Sequence, residues 1–334
     1  MNAPRRQYWT VAAGDTPARD YSQVFLDFGI MLVGPGHRGN YFENRQAYAD
    51  VRRVQRFVEE IKPGDVVVLK KGVKSIIAVG VVVERKDSYF HSEIFSDVEG
   101  FSLQHGRYVV WYKPKKEIEI RLPRGTVTSD PSWEVKKIAD RIISENEPLK
   151  PRRMPSEAKT VDDEKLIACL VEHGLSSGQA KDVKGAFNRV RKLGAWYSEK
   201  EADVSEYETR TFLIVPLILA LGWPEQRLKL EWRDLDMALF EKNYTDGASP
   251  MMILESKRLD YPLMGAEEQA KQYSIKFPYC NKLVVSNGIR YLLFSKERSE
   301  WKPKAYLDLL RPLDRHPYYE KINGAPDLLT QLLP

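Results

Sequence analysis

In the first half of the chain, some segments have the apolar spacing of β-strands and others that of α-helices, which predicts short strands and one or two helices. Five of these positions recur at helical spacing before a Lys-Pro-Gly break at 62–64: Val51, Val54, Phe57, Val58 and Ile61. Apolar runs rich in β-branched residues lie at 8–14, 65–72, 74–86 and 107–123. Short strands with glycine-containing turns and a covering helix predict a small closed β-barrel over residues 1–148.

The second half of the chain shows longer helical patterns and fewer strands. The patterns predict helices over 165–175, 177–197, 205–223 and 267–274, a strand over 251–254, and a hairpin around Asn287-Gly288. In the third helix Pro216 predicts a kink and Gly222 a stop. The first two helices form a connector over 161–200, before a domain at 201–334.

Residues 144–164 are rich in proline and charge and poor in apolar side chains. This composition is typical of an interdomain linker, which we place at 149–160. The sequence therefore predicts an α+β protein of two domains, and 334 residues suffice for each domain to bury its own core.

Cysteine content and hydropathy indicate the compartment. Cys169 and Cys280 are the only cysteines, so no disulfide framework is expected, as in a reducing environment. The longest apolar run, 212–221, is too short to cross a bilayer, and no apolar signal segment opens the chain. We expect a soluble, cytoplasmic protein with no membrane partner.

The net charge of +5 is unevenly distributed. Residues 1–160 carry 27 Lys and Arg against 21 Asp and Glu, whereas residues 161–334 carry 25 against 26. A polyanionic partner of the first half would favour this asymmetry, and an ordinary solvated surface is equally compatible with it.

Three polar residues in the second half suggest phosphodiester hydrolysis. Asp236 lies in WRDLDMALF, and Glu255 and Lys257 follow the strand in MMILESKRL. The two-residue period of a strand puts Glu255 and Lys257 on one face. Carboxylates can hold a divalent cation and a lysine can balance the charge that develops on a phosphate. An isolated E-x-K is common in charged proteins, so the surrounding sequence decides its meaning.

In order along the chain, these segments resemble the nuclease domain at the N-terminus of type I restriction enzyme motor subunits, a branch of the PD-(D/E)xK superfamily. The resemblance covers residues 200–300. The matching positions are Glu206 before a Thr-Arg pair (Glu208 is the alternative), the helix ending in Leu-Gly-Trp, Asp236, Glu255 with Lys257, and Gln269 with Tyr273.

The resemblance implies a role for each matched residue. Asp236, Glu255 and the main-chain carbonyl of Ser256 would hold Mg²⁺ or Mn²⁺, and Lys257 would orient water or stabilise the transition state. Glu206 would bind a second metal or position Lys257. Gln269 and Tyr273 would contact the DNA backbone near the cut. No G-x-x-x-x-G-K-[ST] loop occurs, so neither an ATP-driven motor nor a nucleotide cofactor is expected.

The first domain resembles the PUA-like superfamily and, within it, EVE-type domains. The resemblance rests on Tyr8-Trp9, on Gly64-Asp65 at the start of a strand, on the phrase IIAVGVVV and on a later aromatic strand. Several members hold a flipped modified base in an aromatic pocket. Several aromatic residues could face such a pocket: Trp9, Tyr21, Tyr41, Phe42, Tyr89, Phe90, Trp111 and Tyr112. The selected candidate base-contact residues are Trp9, Tyr41, Phe42 and Trp111. Each of them, taken singly, fits a core position better, but Tyr41 and Phe42 lie in a polar, glycine-rich stretch.

Together the two halves predict a modification-dependent DNA endonuclease of restriction and phage defence. It would read a modified cytosine in double-stranded DNA and cut nearby. Because one such site cuts one strand, a double-strand cut implies a homodimer. Two alternatives remain open: a restriction or repair nuclease that needs no modification, and a nucleic-acid reader that has lost activity.

Overall fold

The structure is a computed structural model, and it describes residues 6–14, 20–85, 88–98, 100–200, 203–259, 261, 263, 272, 275–298 and 300–334. The chain divides into two compact units, Met1–Ser156 (unit 1) and Glu157–Pro334 (unit 2). Both units combine sheets with helices, so the α+β class is confirmed.

Unit 1 consists of one sheet and three α-helices within its described residues. Its strands are β1 (Tyr8–Ala12), β2 (Ile30–Val33), β3 (Val66–Lys71), β4 (Ser75–Val82), β5 (Tyr89–His91), β6 (His105–Tyr112), β7 (Ile118–Glu119) and β8 (Val127–Ser129). Its helices are α1 (Ser22–Phe28), α2 (Arg52–Gln55), which a π turn (Arg56–Glu60) continues, and α3 (Trp133–Glu145), with 3₁₀ turns at Arg45–Tyr48 and Glu93–Phe95.

The sheet of unit 1 curls into a half-barrel. Its strand order is β2-β6-β4-β3-β1-β8, with β5 added to β6 and β7 added to β4. Strands β1 and β3 are parallel. The predicted closed barrel is wrong, because β2 pairs only with β6 and the three-residue β8 pairs only with β1 among the described strands. Two short terminal strands leave the sheet open.

The helix predicted around residue 57 is confirmed, although its last turn is π-helical. The inward side chains Val54, Phe57 and Ile61 are fully buried. Arg107 supports this turn, since its guanidinium Nε donates to the Phe57 carbonyl at 2.8 Å and its Nη2 to the Val58 carbonyl at 2.6 Å. The tight packing of this helix fixes the loop that precedes it.

Helix α3 was not predicted, although its pattern is amphipathic. Val135, Ala139 and Ile142 are buried at i, i+4 and i+7, where they pack with apolar residues of β3 and β4. Ser132 caps the helix by accepting the N–H of Val135. This helix closes one face of the half-barrel.

The start of the predicted linker is an ordered part of unit 1. The Leu149 N–H donates to the Trp111 carbonyl at 2.7 Å, and the Arg152 N–H donates to the Asp27 carbonyl at 2.6 Å. A Cβ on Gly29 would approach Pro151 within 2.9 Å, so the segment lies close against the end of α1. The chain therefore leaves unit 1 later than residue 148.

We expect a fragment of residues 1–156 to fold alone and to melt at a higher temperature than a fragment of residues 1–148. The shorter fragment lacks the hydrogen bonds of Leu149 and Arg152. Circular dichroism melting curves of the two fragments test this. Equal melting temperatures would show that residues 149–156 add nothing to the stability of unit 1.

Within its described residues, unit 2 combines a second sheet with helices that pack on one face of that sheet. The helices are α4 (Asp163–Glu172), α5 (Ser177–Glu199), α6 (Glu206–Glu208), a π turn (Thr209–Ile214), α7 (Val215–Ala220), a 3₁₀ turn (Glu225–Arg227) and α8 (Ala325–Gln331). The strands are β9 (Leu228–Trp232), β10 (Leu235–Leu239), β11 (Met252–Ser256), β12 (Lys282–Ser286), β13 (Arg290–Glu297) and β14 (Glu300–Asp308).

The second sheet follows the order β14-β13-β12-β11-β10-β9, in which only β11 and β12 run parallel. Alternate residues of β10 and β11 face two different cores. Met237 and Leu254 pack with α4, α5 and α7, whereas Ala238 and Ile253 join the core on the opposite face. The helices predicted over 165–175 and 177–197, the strand over 251–254 and the hairpin around Asn287-Gly288 are confirmed.

The helix predicted over 205–223 is present with an internal irregularity. A capping box begins it, because Ser205 and Glu208 exchange side-chain and backbone hydrogen bonds. The π turn precedes Pro216, and Gly222 ends the segment with a φ of +99°. Among the described residues, no helix combines the length and the apolar character needed to cross a membrane.

Candidate functional site

Three carboxylates meet beside the middle strands of unit 2. The register pairs Met237 with Leu254, which places Asp236 directly opposite Glu255 on β10 and β11. Glu206 approaches from the first turn of α6. One oxygen from each carboxylate lies within 4.8 Å of the other two. Three residues that are far apart in the sequence thus form one acidic cluster.

The turn between β9 and β10 sets the register of Asp236. Leu235 pairs with Trp232, and the two residues between them, Arg233 and Asp234, have φ values of +50° and +66°. Two successive left-handed residues form the tight hairpin turn that suits the twist of paired strands. The side chain of Asp234 is 87% exposed in this turn, so Asp236, and not Asp234, belongs to the acidic cluster.

Hydrogen bonds fix the Asp236 carboxylate. Oδ2 accepts the Ser256 backbone N–H at 2.7 Å and the Ser256 hydroxyl at 2.8 Å, and Oδ1 accepts Nη1 of Arg210. A carboxylate offers about four lone-pair positions. These three bonds leave one of them for a metal ion, so Asp236 can bind a cation through a single oxygen.

Lys257 lies against Glu255, as the strand period predicts. Its Nζ donates to Glu255 Oε1 at 2.9 Å. The side chains of Lys257 and Glu255 are only 17% and 8% exposed. Lys257 is therefore an enclosed site residue whose charge offsets that of the acidic cluster.

Glu206 and Glu208, which the sequence leaves as alternatives, lie in different environments. Glu208 is used in the capping box with Ser205, whereas the carboxylate of Glu206 belongs to the acidic cluster. Burial raises the pKa of Glu206 above its ordinary value; the charges of Asp236 and Glu255 raise it further, while Lys257 and Arg210 lower it. Geometry thus favours Glu206 as the site residue.

We expect Glu206→Gln to remove metal-dependent cleavage and Glu208→Ala to preserve it. Glu206 would contribute a charged ligand, whereas Glu208 only completes the helix cap, so its loss should lower the melting temperature slightly. Cleavage assays and melting curves on both variants test this pair. The assignment is wrong if Glu208→Ala loses cleavage and Glu206→Gln keeps it.

Two further residues, Arg210 and Glu231, complete the charge balance of the site. The guanidinium of Arg210 bridges Asp236 and Glu231, with Nη2 2.6 Å from Glu231 Oε1, and its side chain is 5% exposed. Arg210 projects from the π turn, a helical irregularity that is frequent at functional sites. In the sequence, Arg210 is recognisable only as part of the Thr-Arg pair of the family pattern, which gives it no role.

The charge and the donor atoms of the cluster fit a divalent cation. Among the described residues, four carboxylates (Glu206, Glu231, Asp236, Glu255) and two cations (Arg210, Lys257) give this group a formal charge of −2 when all are ionised. Carboxylate oxygens are the ligands that Mg²⁺ prefers; around the ion, adjacent oxygens lie about 3 Å apart and opposite ones about 4.2 Å apart. The three oxygens, which lie within 4.8 Å of one another, would have to move closer together to bind one ion.

The remaining predicted site residues of unit 2 have different outcomes. Gln269 and Tyr273 lie outside the described residues. Ser256 is buried beside Asp236, but the contribution that the structure records is donation from its N–H and hydroxyl to Asp236. In this arrangement Ser256 orients a ligand carboxylate.

Three of the four candidate base-contact residues of unit 1 are core residues. Trp9, Tyr41 and Trp111 are buried, and each donates a hydrogen bond: Trp9 Nε1 to Asp65, Tyr41 to Glu59, and Trp111 Nε1 to the Ile30 carbonyl. Phe42 is 51% exposed and packs edge-on against Tyr89. Of the four, only Phe42 offers an accessible ring face.

A cavity elsewhere in unit 1 contains aromatic and cationic side chains that the sequence did not bring together. It has a volume of about 630 Å³, and its walls include Tyr21, Phe101, Lys70, Arg53, Arg124 and His37. In the sequence, Tyr21 is one of the aromatic residues that could face a flipped base, and His37 is a loop histidine that could contact a phosphate, but neither is a leading candidate. Phe101, Lys70, Arg53 and Arg124 gave no such signal, because residues far apart in sequence form the walls.

Comparison with known proteins gives one match. Residues 9–132, most of unit 1, match the model of a family described as a domain of unknown function (DUF8426). No curated protein and no solved structure matches the chain. The matched segment includes the residues of the cavity and ends before α3.

Proposed function

We propose that this protein is a metal-dependent DNA endonuclease whose active site lies in unit 2. One observation carries the proposal: Glu206, Asp236 and Glu255 place carboxylate oxygens within 4.8 Å of one another, with the ammonium of Lys257 2.9 Å from Glu255. Such a group combines ligands for a hard divalent cation with a cation for the reacting phosphate. The resemblance of these positions to PD-(D/E)xK nucleases supports the same reaction.

Each site residue then has a distinct task. Glu206, Asp236 and Glu255 would hold Mg²⁺ or Mn²⁺. The bound ion would supply Lewis-acid polarisation of the phosphate and a water of lowered pKa. Ser256 and Arg210 would orient Asp236, and Lys257 would orient the attacking water or stabilise the charge that develops on the phosphate.

We assign target selection to unit 1, as a PUA/EVE-like reader of modified cytosine in double-stranded DNA. The excess of positive charge in residues 1–160 supports contact with a polyanion. A base reader joined to a nuclease would cut only marked DNA, as a restriction system against modified phage DNA requires. Two copies would be needed to cut both strands.

A cleavage assay on matched DNAs tests this function. The full-length protein is incubated with Mg²⁺ or EDTA and with duplexes that carry cytosine, 5-methylcytosine, 5-hydroxymethylcytosine or glucosylated 5-hydroxymethylcytosine. We expect Mg²⁺-dependent cutting of at least one modified duplex and little cutting of the unmodified one. Equal cutting of all duplexes would leave a nuclease without modification dependence, and no cutting would remove the nuclease assignment.

A further inference from the structure

The cavity of unit 1 has the size of a small-molecule site. A volume of about 630 Å³ lies within the range of known ligand pockets. It opens beside the ends of β1, β2 and β3, where Ala12, Val33 and Lys70 line it. The glycine-rich stretch packs closely along one wall, since a Cβ on Gly34 would meet the Ser102 carbonyl oxygen at 2.2 Å. The wall therefore presents backbone and small residues to an occupant.

A buried cation lies in this cavity. Lys70 is 2% exposed, and within the described residues the only hydrogen bond of its ammonium is to the Pro123 carbonyl. The described carboxylates Asp20 and Glu117 pair instead with the neighbouring Lys71. Burial lowers the pKa of Lys70 to about 8. An ammonium with spare donors and no paired carboxylate among the described residues is costly to bury, which favours a ligand that brings acceptors to it.

Aromatic rings and further cations complete the cavity. The rings of Tyr21 and Phe101 lie 5.8 Å apart at 44°, and both are partly exposed. Arg53, Arg124 and His37 line the same cavity with exposed side chains. Arg53 is held in place because its Nε donates to the Gly34 carbonyl at 2.7 Å. Aromatic side chains in the wall, a buried ammonium donor and exposed guanidinium groups are the groups that the base, the base edge and the phosphate of a nucleotide would contact.

We propose that this cavity binds a nucleotide extruded from DNA, with its base against Tyr21 and Phe101, an acceptor of the base near Lys70, and its phosphates at Arg53 and Arg124. The inference rests on the proposed function and moves the reading pocket away from Trp9, Tyr41 and Trp111. A free nucleotide offers the same chemical groups. The experiment therefore compares a nucleotide within a DNA duplex with a free nucleotide.

The test compares Tyr21→Ala, Lys70→Met and a control, Lys71→Met, in the full-length protein. Lys71 adjoins Lys70 in β3, but its ammonium pairs with carboxylates and it is not among the residues of the cavity wall. In EDTA, anisotropy measures binding of the modified and unmodified duplexes and of the matching free deoxycytidine monophosphates. A 2-aminopurine beside the target base reports its unstacking.

We expect the wild type and Lys71→Met to prefer a modified duplex and to unstack its target base. Tyr21→Ala should reduce that preference by about ten- to a hundred-fold, the loss of one base-aromatic stack. Lys70→Met should also lose the preference while melting at or above the wild-type temperature, because it removes a buried ammonium. A Lys70 with only a structural role would show the opposite, a lower melting temperature and an unchanged preference.

The other outcomes separate the two proposals. If the wild type prefers modified DNA and both cavity variants keep that preference, the cavity is not the reading pocket, although base reading stands. If free monophosphates bind as tightly as the duplexes, the cavity serves a soluble nucleotide and extrusion is wrong. If Mg²⁺-dependent cutting occurs but no duplex or monophosphate binding depends on Tyr21 or Lys70, the cavity proposal fails and the nuclease remains.

Discussion

We expect Lys257→Ala to slow DNA cleavage by at least about a hundred-fold, the usual effect of removing one preorganised group that stabilises transition-state charge. Its Nζ lies 2.9 Å from Glu255 in a site that is largely enclosed, where solvent cannot replace a fixed ammonium. DNA binding in EDTA should change little, because one enclosed lysine adds few phosphate contacts. Single-turnover cleavage and anisotropy measure the two effects separately.

The control for this variant is Lys242→Ala, which removes the same charge from an exposed loop position. It should cut at nearly the wild-type rate. The structure encloses Lys257 beside the buried Glu255, and its ammonium is paired with that carboxylate. We therefore expect Lys257→Ala also to melt somewhat lower without Mg²⁺. Full activity in this variant would remove the active-site assignment.

Arg210→Met should destabilise the protein and increase its response to Mg²⁺. The variant removes a buried cation from between Asp236 and Glu231. Breaking a buried ion pair costs about 3–5 kcal/mol, but Glu231 is 66% exposed, so we expect a loss of about 2 kcal/mol in the free energy of unfolding. An acidic cluster with one cation fewer should bind Mg²⁺ more tightly, so that the ion raises the melting temperature more than in the wild type.

Melting curves with and without Mg²⁺ measure this response, and Arg227→Met serves as the matched control. Arg227 is another partly buried arginine of unit 2, but it donates to the Phe240 carbonyl and stacks on Trp223 instead of meeting the acidic cluster. Its Mg²⁺ response should equal that of the wild type. If Arg210→Met and the wild type gain the same stability from Mg²⁺, the cluster that contains Asp236 is not a metal site.

Local patterns were enough for much of the secondary structure and for the residue types of the candidate site. The strand period places Glu255 and Lys257 on one face, and the structure joins them at 2.9 Å. Helical spacing around Phe57 predicts which side chains of the helix are buried, in α2 and in the π turn that continues it. These predictions succeed because adjacent residues in a regular element have a fixed geometry whatever lies around them.

Contacts between distant segments could not be read from the chain. The sequence left Glu206 and Glu208 as alternatives, and only the capping box and the acidic cluster separate them. The closed barrel was wrong because closure depends on whether the terminal strands β2 and β8 pair, and no local period specifies that. Trp9 and Trp111 were aromatic candidates by composition, yet their indoles donate to buried acceptors inside unit 1.

The sequence by itself determined an α+β chain with several of its helices and strands near their observed positions, and an Asp, a Glu and a Lys whose spacing resembles that of a nuclease motif. Only the tertiary structure brought Arg210 to Asp236 and enclosed Lys70 in a cavity with Tyr21 and Phe101. The physical reason is the distance along the chain over which each property is determined. Side-chain periodicity is a local property of the backbone, whereas burial and ion pairing depend on which distant segments pack together.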